Sequence, residues 1–263
     1  MKKYLVIGNP IEHSLSPLLH NHWIKKNNLQ AEYEKQKIEN SQLKSLIDKV
    51  KRKEINGINV TVPFKKDIIP FLEKLSPEAE STQSVNTIYL DNNTVVGHNT
   101  DIRGFELAIK DTKYDVKGKN VFILGAGGVV SSIIYALNNM KASSISVTNR
   151  TQSKAENLKN LFKNLKIINW GKLPDFDMII NATSIGLNNK DEINLDFSSL
   201  NKNKFFFDVI YNPKETNFLK TAKSLGNDTA NGKKMFIYQA AEAFKIWHGI
   251  QPETNQEVDE LLD

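Results

Sequence analysis

The feature that most constrains this chain is its rhythm: short β-branched or aromatic runs alternate with longer amphipathic stretches almost from end to end. The short runs cover residues 4–7, 57–60, 85–89, 121–124, 145–148, 178–181 and 205–209. Helix-period segments lie between most of them, at 17–27, 41–51, 103–110, 129–139 and 153–162, with another at 235–247. Strand–helix alternation predicts parallel sheets covered on both faces. Asp91-Asn92-Asn93, between 85–89 and 94–97, is a local hairpin signal, so one sheet should be mixed. At 263 residues the chain is at the upper edge of what one core supports, which favours two domains. The first block runs to about Asp101, and the second opens with the helix at 103–110.

Composition removes several function classes. With 40% hydrophobic and 25% charged residues the chain is an ordinary globular protein. The absence of cysteine excludes disulfides, thiolate metal sites and a cysteine nucleophile, and fits a reducing compartment. The apolar run at 4–7 stops at Gly8-Asn9-Pro10, too short for a signal-peptide core, and the uncharged stretch at 121–137 is broken by glycines. The expectation is therefore a cytoplasmic protein with no membrane partner. The formal charge is +5, but the only dense basic run, Lys49-Val50-Lys51-Arg52-Lys53, ends an amphipathic helix and meets Glu54. It reads as a solvated helix face, with no nucleic-acid motif beside it. His20 and His22 face different ways on one helix, and no His-x-x-x-His pair occurs, so no metal is assigned.

The second block opens with a cofactor signal. Val121-Phe122-Ile123-Leu124 runs into Gly125-Ala126-Gly127-Gly128 and then into a helix at Val129. Glycines at such a turn let the backbone approach a pyrophosphate, and the helix N-terminus supplies free N–H groups and a favourable dipole. The third position of the fingerprint is Val130 rather than a small residue. Arg150 lies 22 residues beyond Gly128, where a carboxylate would normally take the ribose hydroxyls, and Lys154 follows within a turn of helix. A guanidinium there binds a 2′-phosphate through paired hydrogen bonds, which points to NADP rather than NAD.

The first block carries polar groups in unusual places. Ser14-Leu15-Ser16-Pro17 opens a helix, where Ser16 is explained as an N-cap. Asn59 and Thr61 alternate at the carboxyl end of a strand, where ligands of open α/β sheets collect. Asn86-Thr87 and Asn99-Thr100-Asp101 add two further clusters. Hydroxyl and amide groups that both donate and accept suit a polyhydroxylated ligand.

Taken in order, several segments together resemble the shikimate dehydrogenase family. They are His13-Ser14-Leu15-Ser16-Pro17, Asn59-Val60-Thr61-Val62-Pro63-Phe64-Lys65, Val85-Asn86-Thr87, Asn99-Thr100-Asp101 and the glycine turn with Asn149-Arg150-Thr151. Asn181-Ala182-Thr183, Asp208-Val209-Ile210-Tyr211-Asn212-Pro213 and Gln239-Ala240-Ala241-Glu242-Ala243-Phe244 complete the set, so the resemblance spans essentially the whole chain. It implies an N-terminal substrate domain with a mixed, mostly parallel sheet, joined to a Rossmann-type dinucleotide-binding domain. The implied boundaries are 1–102, completed by 236–263, and 103–235.

The implied activity is the reversible NADP-dependent reduction of 3-dehydroshikimate to shikimate, in chorismate and aromatic amino-acid biosynthesis. The resemblance further implies catalysis by Lys65 paired with Asp101. An ammonium there exchanges a proton with the substrate oxygen while a carboxylate orients it. Lys66, on the adjacent position, is expected in solvent. Ser14, Ser16, Asn59, Thr61, Asn86, Tyr211 and Gln239 are the implied substrate ligands. The cofactor set is Gly125, Ala126, Gly127, Gly128, Val129, Asn149, Arg150, Thr151 and Lys154, with Thr183, Val209 and Gly232 at the nicotinamide end.

Ile102-Arg103-Gly104 departs from the family's Gly-x-Gly after Asn-Thr-Asp, as Val130 departs in the turn. The alternatives are an NAD-dependent quinate/shikimate dehydrogenase, which Arg150 and the serine pair disfavour, and a non-catalytic metabolite sensor, which has no need of Lys65 with Asp101. A monomer or a homodimer is expected.

Overall fold

The computed structural model describes residues 1–188, 192–198, 200 and 202–263. In chain order its elements are β1 (Lys2–Gly8), α1 (Ser16–Lys26), β2 (Ala31–Lys37), α2 (Leu43–Lys51), β3 (Gly57–Val60), β4 (Lys74–Leu75), α3 (Pro77–Thr82), β5 (Thr87–Asp91), β6 (Thr94–His98) and α4 (Asp101–Asp111). There follow β7 (Asn120–Leu124), α5 (Val130–Asn139), β8 (Ser144–Thr148), α6 (Gln152–Leu161), β9 (Lys166–Ile167), β10 (Met178–Asn181), β11 (Phe205–Asp208), α7 (Asn217–Ser224), β12 (Asp228–Asn231), α8 (Lys233–His248) and α9 (Gln256–Leu261). The chain divides into two compact units, Met1–Gly104 with Ile237–Asp263, and Phe105–Phe236. Among the described residues no helix is long and apolar enough to cross a membrane.

The first unit is built on a six-stranded sheet in the order β2-β1-β3-β5-β6-β4. Only β5 runs against its neighbours, pairing antiparallel with β3 and β6, as the Asn92-Asn93 hairpin requires. β1 lies between β2 and β3, so Tyr4, Leu5, Val6 and Ile7 are all buried and form a continuous apolar run. Helix α2 closes one face with Leu43, Leu46, Ile47 and Val50, the spacing of a single helical stripe. Truncating one of these to Ala would cost about 2–5 kcal/mol through lost burial and the cavity left behind.

The C-terminal part of α8 packs on β3 in the same unit. A Cβ on Gly57 would lie 2.3 Å from Trp247 Nε1, so this strand position tolerates nothing larger than glycine. The indole is held there by donating to the Ile88 carbonyl at 3.1 Å.

The second unit has a fully parallel sheet in the order β12-β11-β10-β7-β8-β9, the doubly wound arrangement with its order reversing between β7 and β10. Phe122, Leu124, Ile179, Phe206 and Phe218 fill one side of it.

Periodicity had not shown β2, β4, β9 or β12. β4 and β9 have two residues each, and the other two are edge strands. In Ala31–Lys37 only Tyr33 is buried among charged and amide neighbours, which leaves no alternating apolar pattern to detect. Charged edges of this kind block further strand pairing. The strand expected from residue 85 begins at Thr87; before it, the Val85 N–H bonds to the Lys65 carbonyl in the turn after β3, and the Asn86 N–H to the carbonyl of His98, the last residue of β6.

Candidate active site

β3 and the turn after it deliver the lysine. The Thr61 N–H bonds to the Ile7 carbonyl at 2.9 Å, Phe64 is buried as an anchor, and Lys65 follows with its carbonyl accepting from the Val85 N–H at 2.8 Å. Lys66, next to it, is exposed. Asp101 is the first residue of α4, where the Asn99 side-chain oxygen caps its N–H at 3.1 Å. Lys65 Nζ donates directly to Asp101 Oδ2, and the two side chains are 12% and 7% exposed. A pair so shielded from water keeps its geometry and is costly to break from either side.

Behind that pair lies a connected polar network. Asn86 donates to Asp101 Oδ1 at 2.9 Å and to Thr100 Oγ1 at 2.9 Å, while its own oxygen accepts the Thr100 N–H at 2.8 Å. The Gln239 amide oxygen stands 3.4 Å from Asn86 Nδ2. Asn59 donates to the Asn86 carbonyl at 3.0 Å and to Thr87 Oγ1 at 3.1 Å. Both asparagines thus spend their amides on protein partners, and both are under a tenth exposed. Their bonds set the carboxylate that holds the lysine.

The serines stand differently from the N-cap expectation. The N-cap position of α1 is Leu15, with no side-chain cap, and Ser16 is the first helical residue. Its N–H bonds to Ser14 Oγ at 3.3 Å, so Ser14 does the local capping and Ser16 turns into the unit, where it is 7% exposed. Thr61 lies just past β3, its methyl 2.6 Å from where a Cβ on Gly8 would stand. The close approach makes Gly8 part of the wall. Ser14, Ser16, Asn59, Thr61, Lys65, Asn86, Asp101 and Gln239 all belong to the first unit, whereas Tyr211 belongs to the second.

In the second unit the glycine turn follows β7 at the point where the strand order reverses. Gly125 has φ +110°, and a Cβ on it would meet the Ala182 carbonyl at 2.8 Å. Gly127 is exposed, and among the described residues no atom lies within 4 Å of a Cβ built on it, which leaves room there for a ligand. Val129 is the N-cap of α5, and Val130, the departure from the fingerprint, is fully buried as the first helical residue. The helix therefore accepts the larger side chain into its core. The Ala126 N–H bonds to Asn149 Oδ1 at 3.1 Å, and Asn149 Nδ2 donates to the Thr151 carbonyl at 2.8 Å. Asn149 thus ties the turn to the segment carrying Arg150, Thr151 and Lys154, all exposed. Open backbone, a helix start and two exposed cations fit a dinucleotide bearing an additional phosphate.

The ends of β10 and β11 are joined by a buried carboxylate. Asp208 Oδ1 accepts from Asn181 Nδ2 at 3.1 Å and from the Ile210 N–H at 3.0 Å, and Thr216 Oγ1 donates to Oδ2 at 2.6 Å. Burial pushes the Asp208 carboxyl up from its usual range, against these bonds. Asn181 Oδ1 also accepts the Thr183 hydroxyl at 2.7 Å. Thr183, Val209 and Tyr211 therefore sit on loops fixed to one hub, and Tyr211 stacks on Phe236 with centroids 4.8 Å apart. A Cβ on Gly232 would be 2.0 Å from the Val209 carbonyl oxygen, so only glycine fits there. Sequence reading placed Asp208 in a motif without giving it this role, and overlooked Tyr33 altogether. The available signal for Tyr33 was one aromatic residue in a charged stretch.

Three family models match the chain: the shikimate dehydrogenase substrate binding domain over residues 6–88, shikimate / quinate 5-dehydrogenase over 106–217, and the shikimate 5′-dehydrogenase C-terminal domain over 234–256. The shikimate dehydrogenase (NADP(+)) of Pelagibacter ubique is 58% identical over 262 residues, covering 100% of this chain and 99% of that protein. The crystal structure of shikimate dehydrogenase from Aquifex aeolicus superposes with a TM-score of 0.92 at 36% identity, covering 100% of this chain and 97% of that one. The Thermus thermophilus shikimate 5-dehydrogenase in complex with NADP(H) and shikimate gives 0.90 at 30% identity, covering 99% and 98%.

Proposed function

The chain belongs to the shikimate dehydrogenase family, and from that premise we infer that it catalyses the reversible NADP-linked reduction of 3-dehydroshikimate to shikimate. The observation that carries the chemistry is the shielded Lys65–Asp101 pair beside a wall of hydroxyl and amide groups. Substrate binding is assigned to the unit Met1–Gly104 with Ile237–Asp263, and NADP binding to Phe105–Phe236.

In the reduction direction the ketone oxygen gains a proton as its carbon gains a hydride. NADPH, when bound, would supply that hydride. The Lys65 ammonium donates the proton, and the amine regains one from solvent; oxidation of shikimate runs the same transfer backwards. Asp101 holds the ammonium in place, and Asn86 holds Asp101. Ser14 and Ser16 supply hydroxyl donors for the substrate carboxylate, and Thr61 and Gln239 supply groups for its ring hydroxyls. Asn59 and Asn86 build the wall behind them. The glycine turn and the start of α5 take the pyrophosphate, and Arg150 with Lys154 takes the 2′-phosphate that separates NADP from NAD. Thr183, Val209, Tyr211 and Gly232 form the fixed loops of that unit.

The reaction belongs to chorismate and aromatic amino-acid biosynthesis, a setting consistent with action in the cytoplasm by a chain that carries no cysteine. Initial rates of nicotinamide reduction, with shikimate or quinate and NADP or NAD, test the reading. Turnover with shikimate and NADP well above the other three pairs is expected. Comparable rates with quinate and NAD would assign the broader quinate/shikimate activity. No turnover by folded, NADP-binding protein would overturn the enzyme reading.

A further inference from the structure

Asp208, the last residue of β11, is fully buried, and the partners of its carboxylate are all neutral: an amide, a backbone N–H and a hydroxyl. A carboxylate withdrawn from water is tolerated only while its lone pairs are taken up, so its bonds show what it holds.

The two oxygens hold different things. Oδ2 takes the Thr216 hydroxyl at 2.6 Å, and the same Thr216 oxygen caps α7 by accepting the Leu219 N–H at 3.4 Å. This side serves the fold. Oδ1 takes the Ile210 N–H at 3.0 Å, which turns the chain just after β11 and fixes Val209 within the turn. Oδ1 also takes the Asn181 amide at 3.1 Å, and there the wiring continues. Asn181 Nδ2 gives its other hydrogen to the Ile185 carbonyl at 3.0 Å. Both of these partners only accept, so the amide nitrogen must face them and Asn181 Oδ1 must face Thr183. That oxygen accepts the Thr183 N–H at 3.1 Å and its hydroxyl at 2.7 Å. Gly232 joins the same assembly, its N–H bonded to the Ile210 carbonyl at 3.1 Å. One oxygen of Asp208 therefore governs the loops that follow β10 and β11 and, through Ile210, the start of the loop after β12.

We propose that Asp208 is a positioning residue for the nicotinamide half of the cofactor, acting through Oδ1 on the loops of Thr183 and Val209 while Oδ2 serves the fold alone. The proposal rests on the functional reading above, in which this unit binds NADP with Thr183, Val209 and Gly232 at its nicotinamide end. Arg150 and Lys154 are fastened separately through Asn149, which none of these bonds reaches. Loss of Asp208 should therefore be felt at one end of the cofactor and not at the other.

The test is equilibrium binding of two probes by the full chain, with thermal melts alongside. NADPH is followed by its nicotinamide fluorescence. Adenosine 2′,5′-bisphosphate, which carries the 2′-phosphate and no nicotinamide, is followed by calorimetry. Asp208→Ala should weaken NADPH roughly 10-fold and leave the bisphosphate within about two-fold. Asp208→Asn keeps an acceptor for Ile210 and Asn181 and turns its amide toward the Thr216 oxygen, so NADPH should bind within about two-fold of wild type. Thr216→Val cuts only the Oδ2 bond and the α7 cap, and should lower the melting temperature without moving either dissociation constant. Should Asp208→Ala fail to fold, Asn181→Ala breaks the Thr183 branch alone and should show the same selective loss. Equal weakening of both probes, or unchanged NADPH binding in the alanine variant, would overturn the positioning role. NADPH weakened as much by Asp208→Asn or Thr216→Val would overturn the division between the two oxygens. A wild-type chain that does not bind NADPH would instead overturn the functional reading, and the proposal with it.

Discussion

The two units answer the problem of binding a polar ligand in opposite ways. In the first, the groups that matter are buried and already bonded to one another: Lys65 to Asp101, Asp101 to Asn86, Asn86 to Thr100. In the second, the groups that would meet the cofactor are open. Among the described residues no atom lies within 4 Å of a Cβ built on Gly127, Arg150, Thr151 and Lys154 are exposed, and Asn149 ties their segment to the glycine turn. Buried wiring makes position and stability inseparable. Exposed cations contribute attraction without contributing to the fold, since surface charge adds little to stability.

That contrast is breakable, most forcefully at Asp101. Asp101→Ala leaves the Lys65 ammonium shielded and unpaired. Turnover should fall by roughly 100- to 10,000-fold, and denaturant unfolding should show a stability loss of about 3–5 kcal/mol. A variant that loses activity with undiminished stability would show that the pair carries no structural weight.

Next in size is Arg150→Ala. Losing a charged hydrogen-bonding partner of the 2′-phosphate should raise KM for NADP roughly 10- to 100-fold, while NAD kinetics and the melting temperature stay as in wild type. A melting temperature that falls as it does for Asp101→Ala would erase the distinction between the units. An unchanged preference for NADP would remove Arg150 from cofactor selection.

The smallest effect comes from beneath the substrate wall. His20 is fully enclosed by Trp23, Tyr33, Phe244 and Trp247, and burial, with His248 nearby, pushes its pKa down to about 3. A base whose pKa falls on folding binds its proton first in the unfolded chain. The native state therefore loses stability as pH drops below the ordinary value of 6.5, until the folded group itself titrates. Between pH 7 and 5 this one residue should cost about 2 kcal/mol. His20→Phe keeps a ring in the stack and should remove most of that slope, read by urea unfolding at the two pH values. An undiminished slope would place the acid sensitivity elsewhere, His248 being the next group to test.

The same contrast explains what could be read from sequence. The apolar runs at 121–124 and 178–181 identify central strands, because a strand buried on both faces leaves no polar positions. The pairing of Lys65 with Asp101 was implied by the family resemblance of their segments, and the Asn92-Asn93 turn was legible through its backbone demand. Edge strands were not, since Ala31–Lys37 keeps its charges in solvent and hides one tyrosine. Ser16 was misread as a cap because serine before proline at a helix start has that local meaning, whereas the bond from Tyr33 to Asn59 joins side chains twenty-six positions apart and is visible only in three dimensions. Local patterns report backbone; bonds between distant side chains do not announce themselves.

The central claim is that Lys65 moves the proton, and it is tested most directly by comparing Lys65→Ala with wild type in two quantities, kcat for shikimate oxidation and the shikimate dissociation constant. The account predicts a fall in kcat of roughly 100-fold or more with the dissociation constant changed only a few-fold. An unaltered kcat, or a loss confined to binding, would contradict it.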